Sequence, residues 1–424
     1  MTDTAFQPKM AWRMTILLAL FMLLNFVDKI VVGLVAVPMM TELKLTPTEF
    51  GVIGGSFFWL FAVAGVIGGF IADRVKTKWV LALMALAWAL LQLPIAYTAS
   101  LTAIIACRFL LGIAEGPAWP VAVHALYKWF PDEKRTLPVS IIGQAAGVGL
   151  VLAGLIIPAV TSHWGWRANF ELLGAVGLVW LLLWLPLGRE GTLGEAHGDQ
   201  GIKRVGYGRL LSDKTLLACI FAHFASYWSL ALSLTWMAVY LQKGLGYGPL
   251  ETGRMFSFFV IVNMAFGLGA SWWSQRLMQQ KVPSRIARGV VTAIATLVAA
   301  VCYASMLLPN LSPLTRVLIL AMGAGLSQTI YYTGPAIIGE IVPKPQRASI
   351  LAIDNSIASI AGIIAPIVMG YLIQHIHGGP ADGYNFGFAV TGVFLSVAGL
   401  VGWIFLRPAS SAKRNIETPL AHAG

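Results

Sequence analysis

An apolar segment with two charges inside it runs from 101 to 127, LTAIIACRFLLGIAEGPAWPVAVHALY. It is apolar and long enough to cross a bilayer, which takes roughly 20 helical residues. Arg108 and Glu115 lie seven residues apart within it, and therefore on one face of a helix. An ionised side chain in hydrocarbon costs at least about 2.5–3.5 kcal/mol, so lipid-facing positions would not keep both. We expect them to face a protein interior or a water-filled cavity, as in membrane proteins that move or sense a solute.

The composition agrees with a membrane protein. Of 424 residues, 58% are hydrophobic and only 11% are charged, which requires several membrane spans. Cys107, Cys219 and Cys302 lie in apolar runs, and an odd number cannot fully pair, so we predict buried thiols with no disulfide framework and no metal site. The sequence shows no phosphate-cradling loop and no nucleophile triad, so we predict neither a cofactor nor an enzyme.

Apolar runs recur along the chain with short polar breaks. They predict an all-α polytopic membrane protein with twelve transmembrane helices in two six-helix halves. The longest break is rich in glycine and charge, which divides the chain into an N-terminal half (1–187), a cytoplasmic linker (188–214), a C-terminal half (215–407) and a cytoplasmic tail (408–424). The predicted spans are 13–37, 50–72, 79–97, 101–126, 136–160, 166–187, 215–241, 251–273, 287–308, 315–340, 347–373 and 383–407.

The distribution of basic residues predicts the orientation. If the N-terminus is cytoplasmic, most of the 29 Lys and Arg fall in inside loops and tails, as the positive-inside rule requires. This pattern accounts for the net charge of +11 without a nucleic-acid partner. We therefore expect a monomer in the cell (inner) membrane, with the lipid bilayer around it and both termini in the cytoplasm. Lys29 and Arg108 remain as basic residues inside helices.

The two halves repeat weakly. The fifth span contains Gly154-x-x-x-Pro158 and the eleventh contains Gly362-x-x-x-Pro366. Glycine and proline at such positions allow close helix approach and bends. A match between helix n and helix n+6 implies two halves in the same orientation, which in transporters enclose a site near the bilayer midplane.

The first cytoplasmic loop carries a second pattern, Gly69-x-x-x-Asp73-Arg74-x-x-x-Lys78, with Arg276 at the corresponding place in the second half. A carboxylate and an arginine at a helix end can latch neighbouring helices in one conformational state. The alternative is a loop that merely obeys the charge rules, and the pattern alone does not decide between the two.

In a twelve-helix chain this loop resembles the loop 2–3 signature of the major facilitator superfamily. The likeness is incomplete, because Lys76 and Thr77 stand where Gly and Arg are usual and Gln275 stands where Asp is usual in the second half. The whole chain is similar, more closely, to the anion:cation symporter family within that superfamily. The most specific segments are 25–38 (NFVDKIVVGLVAVP), 108–120 (RFLLGIAEGPAWP), 127–135 (YKWFPDEKR) and 165–177 (GWRANFELLGAVG).

The resemblance implies roles for four buried charges. Asp28 and Glu115 fall on the acids that carry protons in that family, and Arg108 falls on an arginine that would bridge them. Lys29 stands where arginine usually clamps the substrate carboxylate, so it supplies a point charge in place of a planar fork. Structural readings stay open beside these roles: Asp28 and Lys29 could form an ion pair, and Arg108 could serve packing alone.

The resemblance also implies a cavity lining. Gln144 and Asn355 fall on positions of polar substrate contacts, and Tyr331 and Tyr332 are candidate lining residues. Phe61 falls on a position that is tyrosine in sugar-acid members, which implies a less hydroxylated substrate. Asp354 is not expected from the family; it could be a second titrating site or a partner for Lys29. We assign no ligand role to the histidines His124, His163, His223, His375 and His377.

The sequence therefore predicts a secondary active transporter, a proton-coupled symporter that takes up a small organic anion (a carboxylate or sugar acid) by alternating access. One alternative is an efflux antiporter of an organic anion or drug. Alternatives from other classes are a non-transporting membrane sensor and a membrane enzyme.

Overall fold

The structure is a computed structural model that describes residues 6–72, 74–131, 134–191, 193 and 205–417. These residues contain no β-strand and form twelve helices that are long and apolar enough to cross a membrane, which confirms the predicted fold class. The helices are α1 Pro8–Leu34, α2 Pro47–Ala72, α3 Thr77–Tyr97, α4 Leu101–Tyr127, α5 Leu137–Trp164, α6 Arg167–Leu187, α7 Lys214–Thr235, α8 Pro249–Gln279, α9 Arg285–Leu307, α10 Pro313–Ile341, α11 Lys344–His375 and α12 Asp382–Phe405.

The largest differences from the predicted boundaries lie in the middle of the chain. α7 ends at Thr235, before the predicted 241, because the helix is interrupted at Trp236; the short helix Met237–Val239 and the π-helix Tyr240–Gly244 follow. α8 continues to Gln279, beyond the predicted 273, and its last turn contains polar residues that a hydropathy pattern excludes.

The chain folds into two compact units. The first comprises Met1–Ala196 with Leu234–Ser257, and the second comprises His197–Ser233 with Phe258–Gly424. In the first unit α1 packs along α5 and α3 along α6; in the second unit α9 packs along α12 and α10. The pairs α3–α6 and α9–α12 hold equivalent places in the two sequence halves, as a six-plus-six repeat predicts.

The helices α4 and α10 repeat each other in detail. Each begins after a serine N-cap, since Ser100 Oγ accepts the N–H of Ala103 at 3.4 Å and Ser312 Oγ accepts that of Thr315 at 3.2 Å. Each is also interrupted near its middle: α4 between Leu101–Glu115 and Ala118–Tyr127, and α10 between Pro313–Ser327 and Thr329–Ile341.

The two interruptions have different causes. In α4 the Gly116–Pro117 pair intervenes, and proline removes a backbone donor from the helix. In α10 the hydroxyls of Ser327 and Thr329 each donate a 2.8 Å hydrogen bond to a carbonyl of the preceding turn, a pattern that bends helices. An interruption near the middle of the helix thus arises from two different local sequences.

A close crossing between α5 and α8 completes the first unit. A Cβ at Gly154 would overlap the Ser257 hydroxyl, and one at Gly253 would overlap both the Gly154 carbonyl oxygen and the Pro158 ring. Ser257 Oγ donates a 2.8 Å hydrogen bond to the carbonyl oxygen of Val151. Gly154 therefore lies where its motif predicts close helix approach.

In the second unit, Asp213 joins the start of α7 to the end of the chain. Its carboxylate accepts the N–H groups of Thr215 (2.9 Å) and Leu216 (3.2 Å), which would otherwise lack partners at the helix N-terminus. The same carboxylate accepts the hydroxyl of Ser411 at 3.0 Å and pairs with Arg414. The segment after α12 is thereby attached to the unit.

Candidate functional site

A row of polar side chains on α1 and α4 lies in the apolar interior of the first unit. Asn25, Asp28 and Lys29 follow one another at helical spacing on α1, and Arg108 and Glu115 share one face of α4. All except Lys29 are buried, and only 11% of the Lys29 side chain is exposed. Buried charges are tolerated when they are paired or hydrogen-bonded, so the contacts within this row decide what it can do.

Asn25 connects Glu115 to Lys29. Its Nδ2 donates a 2.8 Å hydrogen bond to Glu115 Oε2, and its Oδ1 accepts a 2.7 Å hydrogen bond from Lys29 Nζ. Lys29 Nζ also lies 3.9 Å from Glu115 Oε2, which is a loose ion pair. Glu115 Oε1 is buried and has no hydrogen-bond partner among the described residues. We call the side chains of Asn25, Lys29 and Glu115 the Asn25 bridge. The sequence feature that could have indicated it is the spacing of four residues between Asn25 and Lys29, which places both on one face of α1.

Arg108 and Asp28 lie in the same row without forming a close pair. The Arg108 guanidinium carbon lies 4.7 Å from the centre of the Phe57 ring, and its Nε finds no hydrogen-bond partner among the residues that the structure describes. In the described part of the chain, no ion pair within 4.0 Å joins Arg108 to Asp28 or Glu115. The bridging of the two acids by Arg108 stays a prediction.

Aromatic rings surround the Lys29 ammonium. Its Nζ lies 4.5 Å from the centre of the Phe26 ring and 5.1 Å from that of Phe61. Both distances are within the range of a cation–π interaction. Phe61 therefore contacts the cation that was predicted to hold the substrate, a contact that the sequence alone did not indicate.

Glycines of α4 bring the aromatic residues of α2 to this row. α2 is interrupted between Pro47–Ser56 and Phe61–Ala72. A Cβ at Gly112 would overlap the Phe57 carbonyl oxygen, and one at Gly116 would overlap that of Phe61. The two glycines flank Glu115, so the interrupted part of α2 can lie directly against the face of α4 that carries the acid.

Gln144 lies on α5, which packs against α1. It is half-buried, and no hydrogen bond of its side chain is found among the described residues. A Cβ at the neighbouring Gly149 would overlap the Leu23 carbonyl oxygen, so the two helices are in close contact near this position. Because the side-chain amide of Gln144 has no hydrogen-bond partner among the described residues, it is available to a ligand. Its contact with the substrate stays a prediction.

The second unit holds a separate polar cluster on α7, α10 and α11. His223 Nδ1 and Asp354 Oδ2 are 2.8 Å apart, and both residues are buried. The edge of the His223 ring packs on Tyr331, with ring centres 4.7 Å apart, and Tyr227 lies 6.4 Å from Tyr331. Asp354 thus has a histidine partner to which sequence reasoning assigned no role.

Two other predicted lining residues do not join this cluster. Asn355 is exposed, and Tyr332 is 47% exposed, although each directly follows a member of the cluster in the sequence. Adjacent positions on a helix point in different directions, so the exposure of these two follows from the burial of their neighbours.

At the loop between α2 and α3, the central residue is Glu190 of the predicted linker. Its carboxylate accepts the N–H groups of Thr77 and Lys78, each at 3.2 Å, and a 2.6 Å hydrogen bond from Lys128 Nζ. Burial raises the pKa of Glu190, but these hydrogen bonds outweigh it and hold the pKa below its usual range. Glu190 therefore caps α3 as an ionised group and ties it to the loop after α4.

The predicted latch residues are placed less closely. Asp73 lies outside the described residues, Arg74 is exposed, and a Cβ at Gly69 would meet no atom within 4 Å. The backbone of Lys78 contacts Glu190, as described above, while its Nζ lies 5.6 Å from the centre of the Trp79 ring. In the second unit, Arg276 is exposed and lies 5.2 Å from the centre of the Trp272 ring.

In the part of the chain that the structure describes, no group of three or more His, Cys, Asp or Glu side chains converges. The thiols of Cys107, Cys219 and Cys302 are free and buried.

Comparison with known proteins identifies relatives over most of the chain. The sequence profile of the Major Facilitator Superfamily matches residues 17–335 and 317–424. The chain is 26% identical over 375 residues to the chloroplastic sodium-dependent phosphate transport protein 1 of Arabidopsis thaliana, covering 84% of this chain and 72% of that protein. It is 24% identical over 409 residues to a probable sulfoacetate transporter of Cupriavidus necator, covering 92% of each. It is also 24% identical over 428 residues to the hexuronate transporter of Bacillus subtilis, covering 97% and 99%.

Solved structures show the same fold. A bacterial homolog of the human lysosomal transporter Spinster, in an inward-facing and unoccupied conformation, superposes with a TM-score of 0.77 at 18% identity, covering 96% of this chain and 98% of that one. A D-xylose–proton symporter gives a TM-score of 0.71 at 17% identity, covering 94% and 98%.

Proposed function

Because the chain belongs to the major facilitator superfamily, we propose that it transports a small organic anion across the membrane together with protons, by alternating access. Its relatives are named as transporters, which confirms that it is not an enzyme. The substrates in those names are anions, which bears out the resemblance to the anion:cation symporters. The observation that carries the proposal is the Asn25 bridge, in which a largely buried ammonium group and a buried carboxyl group share one amide.

The charges of the first unit support coupling to protons. Asp28 and Glu115 balance Lys29 and Arg108 when all four are ionised. Adding a substrate carboxylate without a proton would leave one uncompensated negative charge in a low-dielectric interior, which is costly. Binding a proton together with the anion keeps the row neutral. The row therefore favours loading of anion and proton together, and their affinities are reciprocally coupled.

Glu115 is the best-placed proton acceptor. Its Oε2 is held by the Asn25 amide, whereas Oε1 is buried with no partner in the described part of the chain and can take a proton. Protonation would remove the negative charge that competes for Lys29, 3.9 Å away, so the ammonium group becomes available to a substrate carboxylate. Asp28 and Arg108 complete the proton-coupling set in this proposal.

The surroundings of Lys29 favour a substrate with few hydroxyl groups. Phe26 and Phe61 pack on the ammonium group and offer no hydrogen-bond partner. Each unpaired buried hydroxyl would cost about 1–3 kcal/mol. We propose an apolar or aromatic monocarboxylate or a small hydroxy acid, with an amide contact from Gln144 in the first unit; Asn355, Tyr331 and Tyr332 stay predicted lining residues of the second unit.

The loop residues complete the proposed mechanism. We assign conformational control to Gly69, Asp73, Arg74 and Lys78 in the first half and to Arg276 in the second. We also propose that the chain is a monomer in the cell (inner) membrane, and the distribution of the basic residues supports an orientation with both termini in the cytoplasm.

Transport by the purified chain in proteoliposomes tests the proposal. The probes are labelled sulfoacetate, benzoate, lactate and D-glucuronate, offered with an imposed pH gradient, alkaline inside. We expect accumulation of at least one anion above its external concentration and loss of that accumulation when a protonophore is added. Accumulation only with the opposite gradient would favour the efflux antiporter. No movement of any probe in either gradient, with correctly folded protein, would contradict the transport proposal.

A further inference from the structure

The buried cluster of the second unit contains titratable groups that the mechanism proposed above does not use. His223 on α7 and Asp354 on α11 are joined by the 2.8 Å contact between Nδ1 and Oδ2. Only 8% of His223 and 4% of Asp354 is exposed. These two side chains lie in apolar helices, where burying an ionisable pair costs free energy. Ionisable residues at such positions are therefore candidates for a functional role.

Several polar atoms in this cluster have no hydrogen-bond partner in the part of the chain that the structure describes. They are His223 Nε2, Asp354 Oδ1, Tyr331 Oη and Ser226 Oγ. The contact between Nδ1 and Oδ2 uses one atom of each member of the pair, so each member retains one free position. A proton can therefore be added at His223 Nε2 or at Asp354 Oδ1 without breaking the contact.

The charge balance of the cluster differs from that of the first unit. The titratable groups that face the pair are Cys219 and Tyr227 on α7 and Tyr331 on α10. Among the described residues, no Lys or Arg lies within ion-pair distance of Asp354. With neutral histidine and ionised aspartate, the pair carries one uncompensated negative charge. Uptake of one proton removes that net charge, which a low-dielectric interior favours.

We propose that His223 and Asp354 form a second proton-binding site, which takes up and releases one proton in each transport cycle. The site lies on α7 and α11, whereas Asp28 and Glu115 lie on α1 and α4, so the two sites use different helices. The inference rests on the proposed function for its role in coupling, because a proton that never leaves the pair would be a structural one.

The first test measures proton binding without any substrate. The full-length protein is labelled at its seven histidines with ¹⁵N, and the ring signals are followed between about pH 5 and about pH 9. The His223 signal is assigned by its absence in the double variant His223→Gln, Asp354→Asn, in which polar isosteres fill the buried positions. We expect the His223 signal to titrate reversibly, also in Glu115→Gln. A signal that stays constant over this range would overturn the proposal.

The second test measures coupling. The ratio of protons to anions is obtained from the pH gradient that just balances an opposing gradient of a probe anion that the wild type accumulates. The double variant should transport with about one proton fewer per anion, which changes the maximal accumulation by about tenfold for each pH unit of gradient. His375→Gln is the matched control on α11, since its ring is exposed, stacks on Tyr371 and has Nδ1 2.9 Å from the Tyr371 carbonyl oxygen.

The outcomes separate the two proposals. An unchanged ratio in the double variant would show that the pair lies outside the coupling path and would overturn the inference. A wild type that accumulates no anion in any pH gradient would overturn the proposed function, and the histidine titration would still decide whether the pair binds a proton. If the double variant is poorly folded, Asp354→Asn alone is used, because it keeps the histidine and removes the acid.

Discussion

The side-chain amide of Asn25 donates a 2.8 Å hydrogen bond to the carboxylate of Glu115. The oxygen of the same amide accepts a 2.7 Å hydrogen bond from the Lys29 ammonium, so an uncharged residue holds a buried acid and a largely buried base at a separation of 3.9 Å. At that separation their attraction is weaker than in a direct ion pair. Lys29 therefore stays close to Glu115 without forming a tight ion pair with it. This suits a site in which Lys29 exchanges the Glu115 carboxylate for a substrate carboxylate.

The first prediction concerns Glu115→Gln. The variant keeps a group that Asn25 can hydrogen-bond but removes the proton acceptor, so gradient-driven accumulation should fall to the level seen without a gradient. Exchange of labelled for unlabelled anion (counterflow) should persist, because it needs no net proton movement. Glu251→Gln at the exposed start of α8 is the control. Wild-type accumulation by Glu115→Gln would remove this residue from the coupling path.

The second prediction concerns Lys29. Lys29→Ala should weaken anion binding by about 10–100-fold, since a hydrogen bond to a charged group contributes about 1.5–3 kcal/mol. Lys29→Arg should retain a substantial part, because a guanidinium can also pack on Phe26 and Phe61. Binding is measured by thermal stabilisation with increasing probe anion. Unchanged affinity in Lys29→Ala would place the anion elsewhere.

The third prediction concerns substrate choice. Phe61→Tyr adds a hydroxyl to a ring that lies 5.1 Å from Lys29 Nζ, which should shift preference toward more hydroxylated acids. The measurement is the ratio of D-glucuronate to benzoate transport rates, in wild type and variant side by side. Phe26→Tyr alters the other ring at Lys29 and shows whether the position of the hydroxyl matters. High-affinity transport of a hexonate by the wild type, indifferent to Phe61→Tyr, would argue against the proposed specificity.

The fourth prediction concerns the packing of α2 on α4. Gly112→Ala would place a methyl group into the Phe57 carbonyl, which should lower the free energy of unfolding by about 1–3 kcal/mol. Gly269→Ala on α8 is the control, since a Cβ there meets nothing within 4 Å. Alanine favours helix by about 0.5–1 kcal/mol over glycine, so the two variants should change the unfolding temperature in opposite directions. A stabilised Gly112→Ala would contradict the described contact.

The fifth prediction concerns Glu190. Its pKa is held below the usual range, so the stability that its ionised form contributes is present at neutral pH and is lost as the pH falls through that lowered pKa. At pH 7, Glu190→Gln should speed hydrogen exchange of the Thr77 and Lys78 amides by about tenfold, which corresponds to about 1.4 kcal/mol. Glu42→Gln is the control: the pKa of Glu42 is also lowered, by its contacts with Trp166 and Arg167, but it contacts neither amide. Equal exchange in wild type and Glu190→Gln would exclude the capping role.

Much of the fold could be predicted because each membrane span is a long apolar run. Hydropathy averages over many residues, however, and therefore does not detect where a span is interrupted. The interruption of α4 had a local signal in Gly116–Pro117, whereas that of α10 depends on the hydrogen bonds of Ser327 and Thr329, which no composition reveals.

The candidate site was predictable where a charge interrupts an apolar helix, as at Asp28, Lys29, Arg108 and Glu115. Asn25 escaped notice because an amide in such a helix is not costly enough to stand out. His223 escaped because its role depends on Asp354, which is distant in sequence and is brought to it by tertiary packing. Glu190 lies in the predicted linker, whose glycine-rich and charged composition indicated a connecting segment and gave no sign of a helix cap.

The packing of Leu234–Ser257 within the first unit limits how such chains can be recombined. A chimaera joined in the linker would combine the first six helices of one protein with a foreign version of this segment. The Gly154–Gly253 crossing tolerates no side chain beyond hydrogen at either position, so most foreign partners would separate α5 from α8. A chimaera that carries residues 234–257 along with the first half keeps the crossing intact. This segment should therefore be exchanged together with the first six helices.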